Sequence, residues 1–171
     1  MHLTTAMLSP SMITATSIAG AAAFALAATR LPRELDRRNL PTALALGGLV
    51  FVAQAVNVPL LGGFSGHLVG AALIALLLGP WTAMVSLGVI LALQAVLLGD
   101  GSPGALGANF LTMGVVAAAV AIGIARGARD RSPALRIGMA SYGSTVLAAL
   151  FLSLCLGGQA VLPLLATHAV I

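Results

Sequence analysis

The first two residues of the chain, Met1 and His2, place three metal-binding nitrogens next to one another. The α-amine, the backbone amide of His2 and the His2 imidazole lie within a few bonds of each other, and together they can chelate a transition metal. Such a nitrogen set, with a deprotonated amide, favours square-planar Ni(II), Cu(II) or low-spin Co(II) over tetrahedral Zn(II). His67 is the candidate for a fourth nitrogen. The structural alternative is an ordinary N-terminal residue and a histidine at a helix start.

The composition is that of an integral membrane protein. Hydrophobic residues make up 60% of the 171 residues, charged residues only 7%, and the mean hydropathy is +1.09. Soluble domains carry about 25% charged residues, so this chain has too few to cover a water-facing surface. Runs rich in Ala, Gly, Leu and Val favour helices over a barrel. The single cysteine, Cys155, lies in such a run and is interpreted as a small buried apolar residue.

The apolar runs predict six transmembrane helices. A helix crosses the membrane with about 20 residues, and the third of these runs is short for that length. A final apolar piece, residues 163–171, would make only about 14 Å of helix. We therefore predict an all-α membrane bundle in one domain, residues 1–171, with six helices and a partial seventh, most of the last helix being absent. The six runs are residues 7–29, 41–60, 67–78, 81–98, 106–125 and 137–156.

The eight arginines predict the orientation of these helices. All of them lie in two loops, residues 30–38 and 126–136, and the chain has no lysine. If residues 67–78 cross the membrane, an even number of crossings separates the loops, and the positive-inside rule makes their face cytoplasmic. The charge thus indicates topology, or contact with lipid or a partner, rather than nucleic-acid binding. The N-terminus is then outside, together with His2, His67, His168, Asp100 and the turns 61–66, 99–105 and 157–162.

Two further patterns leave alternatives open. Residues 63–66, Gly-Phe-Ser-Gly, match the GxSG nucleophile motif of rhomboid intramembrane proteases, with Ser65 as nucleophile and His168 as its partner. The upstream HxxxN element of those proteases is absent, and Ser65 would lie beside His67. Asp100, the only acidic residue outside the arginine loops, either attracts cations or caps its loop. We expect a loop role for Gly62, Gly63 and Gly66, and helix packing for Gly70.

Several stretches together resemble one family, the CbiM/NikM substrate-binding membrane components of energy-coupling-factor (ECF) cobalt and nickel importers. The resemblance runs from residue 1 to about residue 115, and Thr167-His168-Ala169 looks like the start of the last helix of that family. Its stretches occur in family order: Met1-His2, Leu8-Ser9-Pro10, Gly66-His67-Leu68-Val69-Gly70, Leu77-Leu78-Gly79-Pro80-Trp81, Gln94-Ala95-Val96-Leu97-Leu98-Gly99-Asp100-Gly101 and Leu106-Gly107-Ala108-Asn109. The family's acid and glycine shortly after His2 are replaced by Thr5 and Ala6.

This resemblance implies a function and a set of partners. The chain would capture Co²⁺ or Ni²⁺ outside the plasma (inner) membrane through Met1, His2 and His67. Its partners would be a small accessory membrane subunit, a coupling transmembrane protein and a pair of ATPases. The chain itself would catalyse no reaction, and it has no GxxxxGK[ST] phosphate loop. Asn57, Phe64 and Ser65 are expected beside the metal because they are close in sequence. A vitamin-binding component is the remaining alternative within transport.

Overall fold

The computed structural model describes residues 2–56, 58–59 and 65–157 and is almost entirely helical. Short 3-10 turns cover Thr5–Met7, Leu31–Arg33 and Pro103–Ala105, and π-helical stretches cover Gln94–Leu98 and Phe110–Val116. Val58–Pro59 (β1) pairs antiparallel with Ser65–Gly66 (β2). The α-helices of this part of the chain are α1 (Pro10–Arg30), α2 (Leu40–Ala55), α3 (Ala71–Leu78), α4 (Pro80–Leu93), α5 (Leu106–Asn109), α6 (Ala117–Gly127) and α7 (Pro133–Cys155).

Within the described residues, four helical stretches are long and apolar enough to cross a membrane: Pro10–Arg33, Pro80–Leu98, Pro103–Gly127 and Pro133–Cys155. Large apolar side chains lie on their outer faces and on α2. Ile18 and Leu44 are each 68% exposed, as expected for surfaces that contact lipid. The prediction of a helical membrane protein is confirmed. The count of six crossings stays a prediction, because α2 and α3 are shorter than these four stretches. The orientation also stays a prediction.

Serine–proline pairs start two of these helices. The Ser9 hydroxyl accepts a hydrogen bond from the Met12 amide at 3.3 Å, with Pro10 as the first helical residue. Ser132 accepts from the Leu135 amide at 3.4 Å before Pro133. A serine cap satisfies a free N–H group, and proline loses nothing at the first helical position. This is why α7 begins at Pro133, four residues before the predicted start of its apolar run.

The core between the helices combines large apolar side chains with close backbone contacts. Ile74, Leu87 and Leu91 are fully buried at the centre of the main cluster. Gly107 of α5 lies against α1, where a Cβ atom would collide with the carbonyl oxygen of Thr16. Without a strong hydrophobic force between helices in lipid, such small residues permit the close packing that holds a membrane bundle together. The cysteine of α7 is buried and free, as expected.

The third apolar run does not begin as a helix at His67. Residues 67–70 are non-helical, and α3 starts at Ala71. Gly70 precedes it with a φ of +77°, and its missing Cβ would lie 2.5 Å from the Val50 side chain. Any other residue there would be strained and would collide with α2. His67 therefore lies in a non-helical segment between β2 and α3, and not in the first turn of a helix.

Candidate metal site

The segment before α1 is fixed against α5 and the loop that leads into it. The Leu3 amide donates a hydrogen bond to Oδ1 of Asn109 at 2.8 Å, and Nδ2 of Asn109 donates to the Leu3 carbonyl at 3.0 Å. Leu3 is 2% exposed and Asn109 is 3% exposed. The asparagine thus pairs with both backbone groups of one residue, as a neighbouring strand would. This pairing fixes the position of the backbone next to His2.

A second contact holds the same segment a little further along. The Thr5 amide donates to the Ser102 hydroxyl at 2.6 Å, and the two hydroxyl groups are also 2.6 Å apart. Gly104 leaves room for this contact, because a Cβ atom there would lie 2.7 Å from the Thr5 hydroxyl. The N-terminal segment is therefore held at two points and directed towards His67.

His2 and His67, 65 residues apart in the chain, lie next to each other. Their ring centroids are 4.8 Å apart, and the ring planes are 27° from parallel. The His2 side chain is 2% exposed. Two imidazoles bound at right angles to one metal, with metal–nitrogen bonds of about 2.0–2.1 Å, have ring centroids about 4.5 Å apart. The two rings are stacked, and their spacing is compatible with two neighbouring ligands of a single ion.

The surroundings of His67 leave one ring nitrogen available. Its Nδ1 lies 3.1 Å from the Leu68 carbonyl, so the tautomer with hydrogen on Nδ1 is the one that makes this bond. Its Nε2 is buried and has no hydrogen-bond partner among the described residues. Metal-binding histidines typically donate their other ring nitrogen in this way. Gln54 holds the same segment by donating from Nε2 to the Val69 carbonyl at 2.7 Å.

Burial also favours the neutral form of His67, which lies outside the membrane-spanning helices. Loss of solvent lowers the pKa of its imidazole below the ordinary value. The hydrogen bond to Leu68 and the charge of Asp100 act in the opposite direction and are smaller. A neutral ring keeps its lone pair, so this environment suits a ligand for a cation.

Asp100 approaches the pair of histidines from the loop after α4. Its Oδ1 lies 2.8 Å from Nδ1 of His2. Gly99 and Gly101 on either side have φ angles of +66° and +85°, and the Asp100 amide donates to the Gln94 carbonyl at 3.1 Å. Left-handed backbone on both sides turns the loop so that the carboxylate faces the N-terminal segment. The sequence did not predict this contact with His2.

The described residues contain no group of three or more His, Cys, Asp or Glu side chains that could hold a metal. A site at the two histidines would therefore depend on backbone nitrogens, as the sequence predicts. Ser65 is placed in β2 by its backbone. Met1, Asn57, Phe64 and His168 lie outside the described residues.

Sequence reasoning gave no role to Asn109. The available signal was a single amide side chain within the apolar run 106–125, since polar groups at membrane depth are costly unless they have a partner.

Comparison with known proteins identifies the family of this chain. The family model described as "Cobalt uptake substrate-specific transmembrane region" (CbiM) matches residues 2–171. The fused nickel transport protein NikMN of Rhodobacter capsulatus is 34% identical over 165 residues, which are 93% of this chain and 48% of that protein. The probable fused nickel transport protein LarMN of Lactiplantibacillus plantarum is 33% identical over 165 residues, 95% of this chain and 50% of that protein. This chain thus spans about half the length of these two relatives.

The fold is also similar to solved structures. The crystal structure of a truncated transition metal transporter superimposes with a TM-score of 0.91 and 29% sequence identity, covering 100% of this chain and 90% of the other. A second transition metal transporter gives a TM-score of 0.90 at the same identity, covering 85% of that chain. The family match covers nearly the whole sequence. This chain belongs to the CbiM family of cobalt uptake substrate-specific transmembrane regions.

Proposed function

We propose that this protein captures Co²⁺ or Ni²⁺ as the substrate-binding membrane component of an ECF-type importer. The observation that carries the proposal is the 4.8 Å spacing of the His2 and His67 rings at the end of a segment fixed by Asn109. The names of the relatives, which describe nickel and cobalt transport, support the same cargo. No covalent chemistry by this chain is required.

The cargo would be bound by four nitrogens. The Met1 amine, the His2 amide and Nδ1 of His2 can form two fused chelate rings around one ion, and Nε2 of His67 can supply the remaining position. Nδ1 is the nitrogen of His2 that can close a ring with its own amide, because it is the ring nitrogen nearer to the backbone. Such a planar set accepts either Ni(II) or Co(II).

In the membrane, the same proposal places six helices across the bilayer with the N-terminus and the metal outside. Both arginine loops, residues 30–38 and 126–136, then face the cytoplasm. They would meet a coupling transmembrane protein, with ATP hydrolysis carried out by separate ATPase subunits and a small accessory membrane subunit completing the complex. The location would be the plasma (inner) membrane.

The other interpretations have no support in the comparisons. The relatives are named as metal transport proteins, not as proteases or vitamin carriers. Of the GxSG motif at residues 63–66, only Ser65 and Gly66 are described, and His168 lies outside the described residues.

Extension of the N-terminus is the direct test of the chelate. Adding one or two residues before Met1 moves the amine away from the His2 amide, so titration calorimetry should show loss of tight Ni²⁺ and Co²⁺ binding. The control is the full chain with its native N-terminus, purified with a removable tag elsewhere. Tight binding by the extended protein would refute the proposed ligand set.

Replacement of His67 tests the fourth ligand. His67→Ala should weaken metal binding by more than about 100-fold, since losing even a residue behind a ligand costs about 10–100-fold. The matched control is His168→Ala, which should bind as the unmodified chain does. Unchanged binding by His67→Ala, in a protein that remains folded, would exclude His67. Parallel Ni²⁺ and Co²⁺ titrations of the unmodified chain would identify the preferred cargo.

A further inference from the structure

Asp100 differs from the other acidic residues of the chain in its surroundings. The chain has four acids. Glu34 accepts from the Thr82 amide at 2.8 Å at the start of α4, and Asp36 accepts from amides in its own loop. Asp130 lies in the second arginine loop. Asp100 instead places its Oδ1 2.8 Å from Nδ1 of His2, so its carboxylate lies beside the proposed metal site.

This contact fixes how far the carboxylate can be from the cargo. A metal bound to Nδ1 of His2 would lie about 2.0–2.1 Å from that nitrogen. Since Oδ1 of Asp100 is 2.8 Å from the same nitrogen, it would be within about 5 Å of the ion in any direction. An opposite charge at about 4–6 Å strongly favours the charged form of a site.

The charge of the proposed complex requires such a group. A divalent ion bound by a deprotonated amide, a neutral amine and two neutral imidazoles keeps one positive charge. The His2 side chain is 2% exposed, and burying an unbalanced charge is costly. The carboxylate of Asp100 carries one negative charge and is 28% exposed, so it balances the complex while remaining partly hydrated.

We propose that Asp100 is the counter-charge of the metal site, a positioning carboxylate that makes the bound metal chelate electrically neutral without itself being a ligand. This inference rests on the proposed function. Gly99 and Gly101, with their left-handed backbone, hold the carboxylate in place.

The test compares Asp100→Asn, Asp100→Glu and the control Asp130→Asn in the full chain with a native N-terminus. Calorimetric titration with Ni²⁺ should show binding by Asp100→Asn weakened by about 10–100-fold, as for other groups behind metal ligands. Asp100→Glu should recover most of the affinity, and Asp130→Asn should match the unmodified chain. At saturation, the visible absorption spectrum of bound Ni²⁺ should be the same in Asp100→Asn and the unmodified chain, because the four nitrogen ligands are unchanged.

Two results would overturn this inference. One is an affinity of Asp100→Asn equal to that of Asp130→Asn. The other is a shifted spectrum in Asp100→Asn, which would make the carboxylate a ligand. Absence of metal binding by the unmodified chain is a different result, since it would refute the proposed function itself. Thermal unfolding of each variant identifies any that fails to fold, and in that case Asp100→Glu alone decides, because loss of its affinity in a folded protein contradicts a charge role.

Discussion

Asn109 of α5 holds Leu3 by both of its backbone groups, across 106 positions of sequence. The two hydrogen bonds measure 2.8 and 3.0 Å and are buried. Since Leu3 directly follows His2, this pairing fixes the backbone next to the ring that lies beside His67. Hydrogen bonds of the backbone next to His2 thus help to position the candidate site, in addition to the contacts of its side chains.

Asn109→Ala should weaken both the fold and metal binding. Each lost hydrogen bond costs about 0.5–1.5 kcal/mol, and the buried Leu3 groups that lose their partner add to this. We expect a lower Tm and Ni²⁺ affinity reduced by at least about fivefold, since about 1 kcal/mol corresponds to that factor. Thermal unfolding and calorimetry measure the two effects.

The control for Asn109 is Ser144→Ala in α7. Ser144 is 2% exposed and donates to the Ser141 carbonyl at 2.8 Å, so it is a buried polar residue whose hydrogen bond stays within its own helix. Its replacement should leave metal affinity unchanged. Equal affinities of the Asn109 and Ser144 variants would contradict a positioning role for Asn109.

Gly101→Ala should disturb the site more than Gly99→Ala. Both glycines have positive φ angles, so alanine carries a similar backbone strain at each position. A Cβ atom at Gly101 would lie 3.3 Å from the Cβ of His2 and 3.3 Å from Nδ2 of Asn109, whereas nothing lies within 4 Å at Gly99. We expect similar Tm losses but weaker Ni²⁺ binding only in Gly101→Ala. Equal Ni²⁺ affinities of the two variants would show that metal binding tolerates a displacement of the loop at Gly101.

The His67 imidazole should become protonated at a lower pH than an ordinary histidine. Burial lowers the pKa of its imidazole, so in the metal-free protein its NMR titration should have a midpoint below the ordinary value of about 6.5. At a pH between the lowered pKa of the folded protein and the ordinary value of the unfolded chain, the unfolded chain binds more protons than the folded chain. The free energy of unfolding therefore falls as pH falls through that window. The Tm of the unmodified chain should therefore fall more steeply below pH 6.5 than that of His67→Ala. Parallel Tm profiles would contradict the burial effect.

Gly107→Ala should destabilise the bundle. Its Cβ would collide with the Thr16 carbonyl oxygen and lie 2.6 Å from the Cα of Ser17, so α1 and α5 must separate. Overpacking of this kind costs about 1–3 kcal/mol. Gly123→Ala in α6 is the matched control, because nothing lies within 4 Å of its Cβ position and alanine favours helix. Measured in detergent, the first variant should lower Tm and the second should not.

Hydropathy and donor chemistry predict much of this molecule from the sequence. Apolar runs locate the helices, because any segment inside lipid must satisfy its own backbone hydrogen bonds. The Met1–His2 chelate is predicted because an amine, an amide and an imidazole at a chain start can bind a metal whatever the fold. Both predictions rest on local chemistry, which a sequence shows directly.

Other features depend on contacts between distant residues. The pairing of Asn109 with Leu3 and of Asp100 with His2 joins positions about 100 residues apart, and no local pattern encodes such pairs. The non-helical start at His67 follows from the packing of Gly70 against Val50, which hydropathy does not show. The metal-binding roles of Met1, His2 and His67 stay predictions.

The pairing of Leu3 with Asn109 also has a consequence for biosynthesis. Ribosomes add about 5–20 residues per second, so roughly 5 to 20 s separate the synthesis of these two residues. During that interval Leu3 has no Asn109 with which to pair. Leu3 therefore cannot reach its final place until α5 has been made.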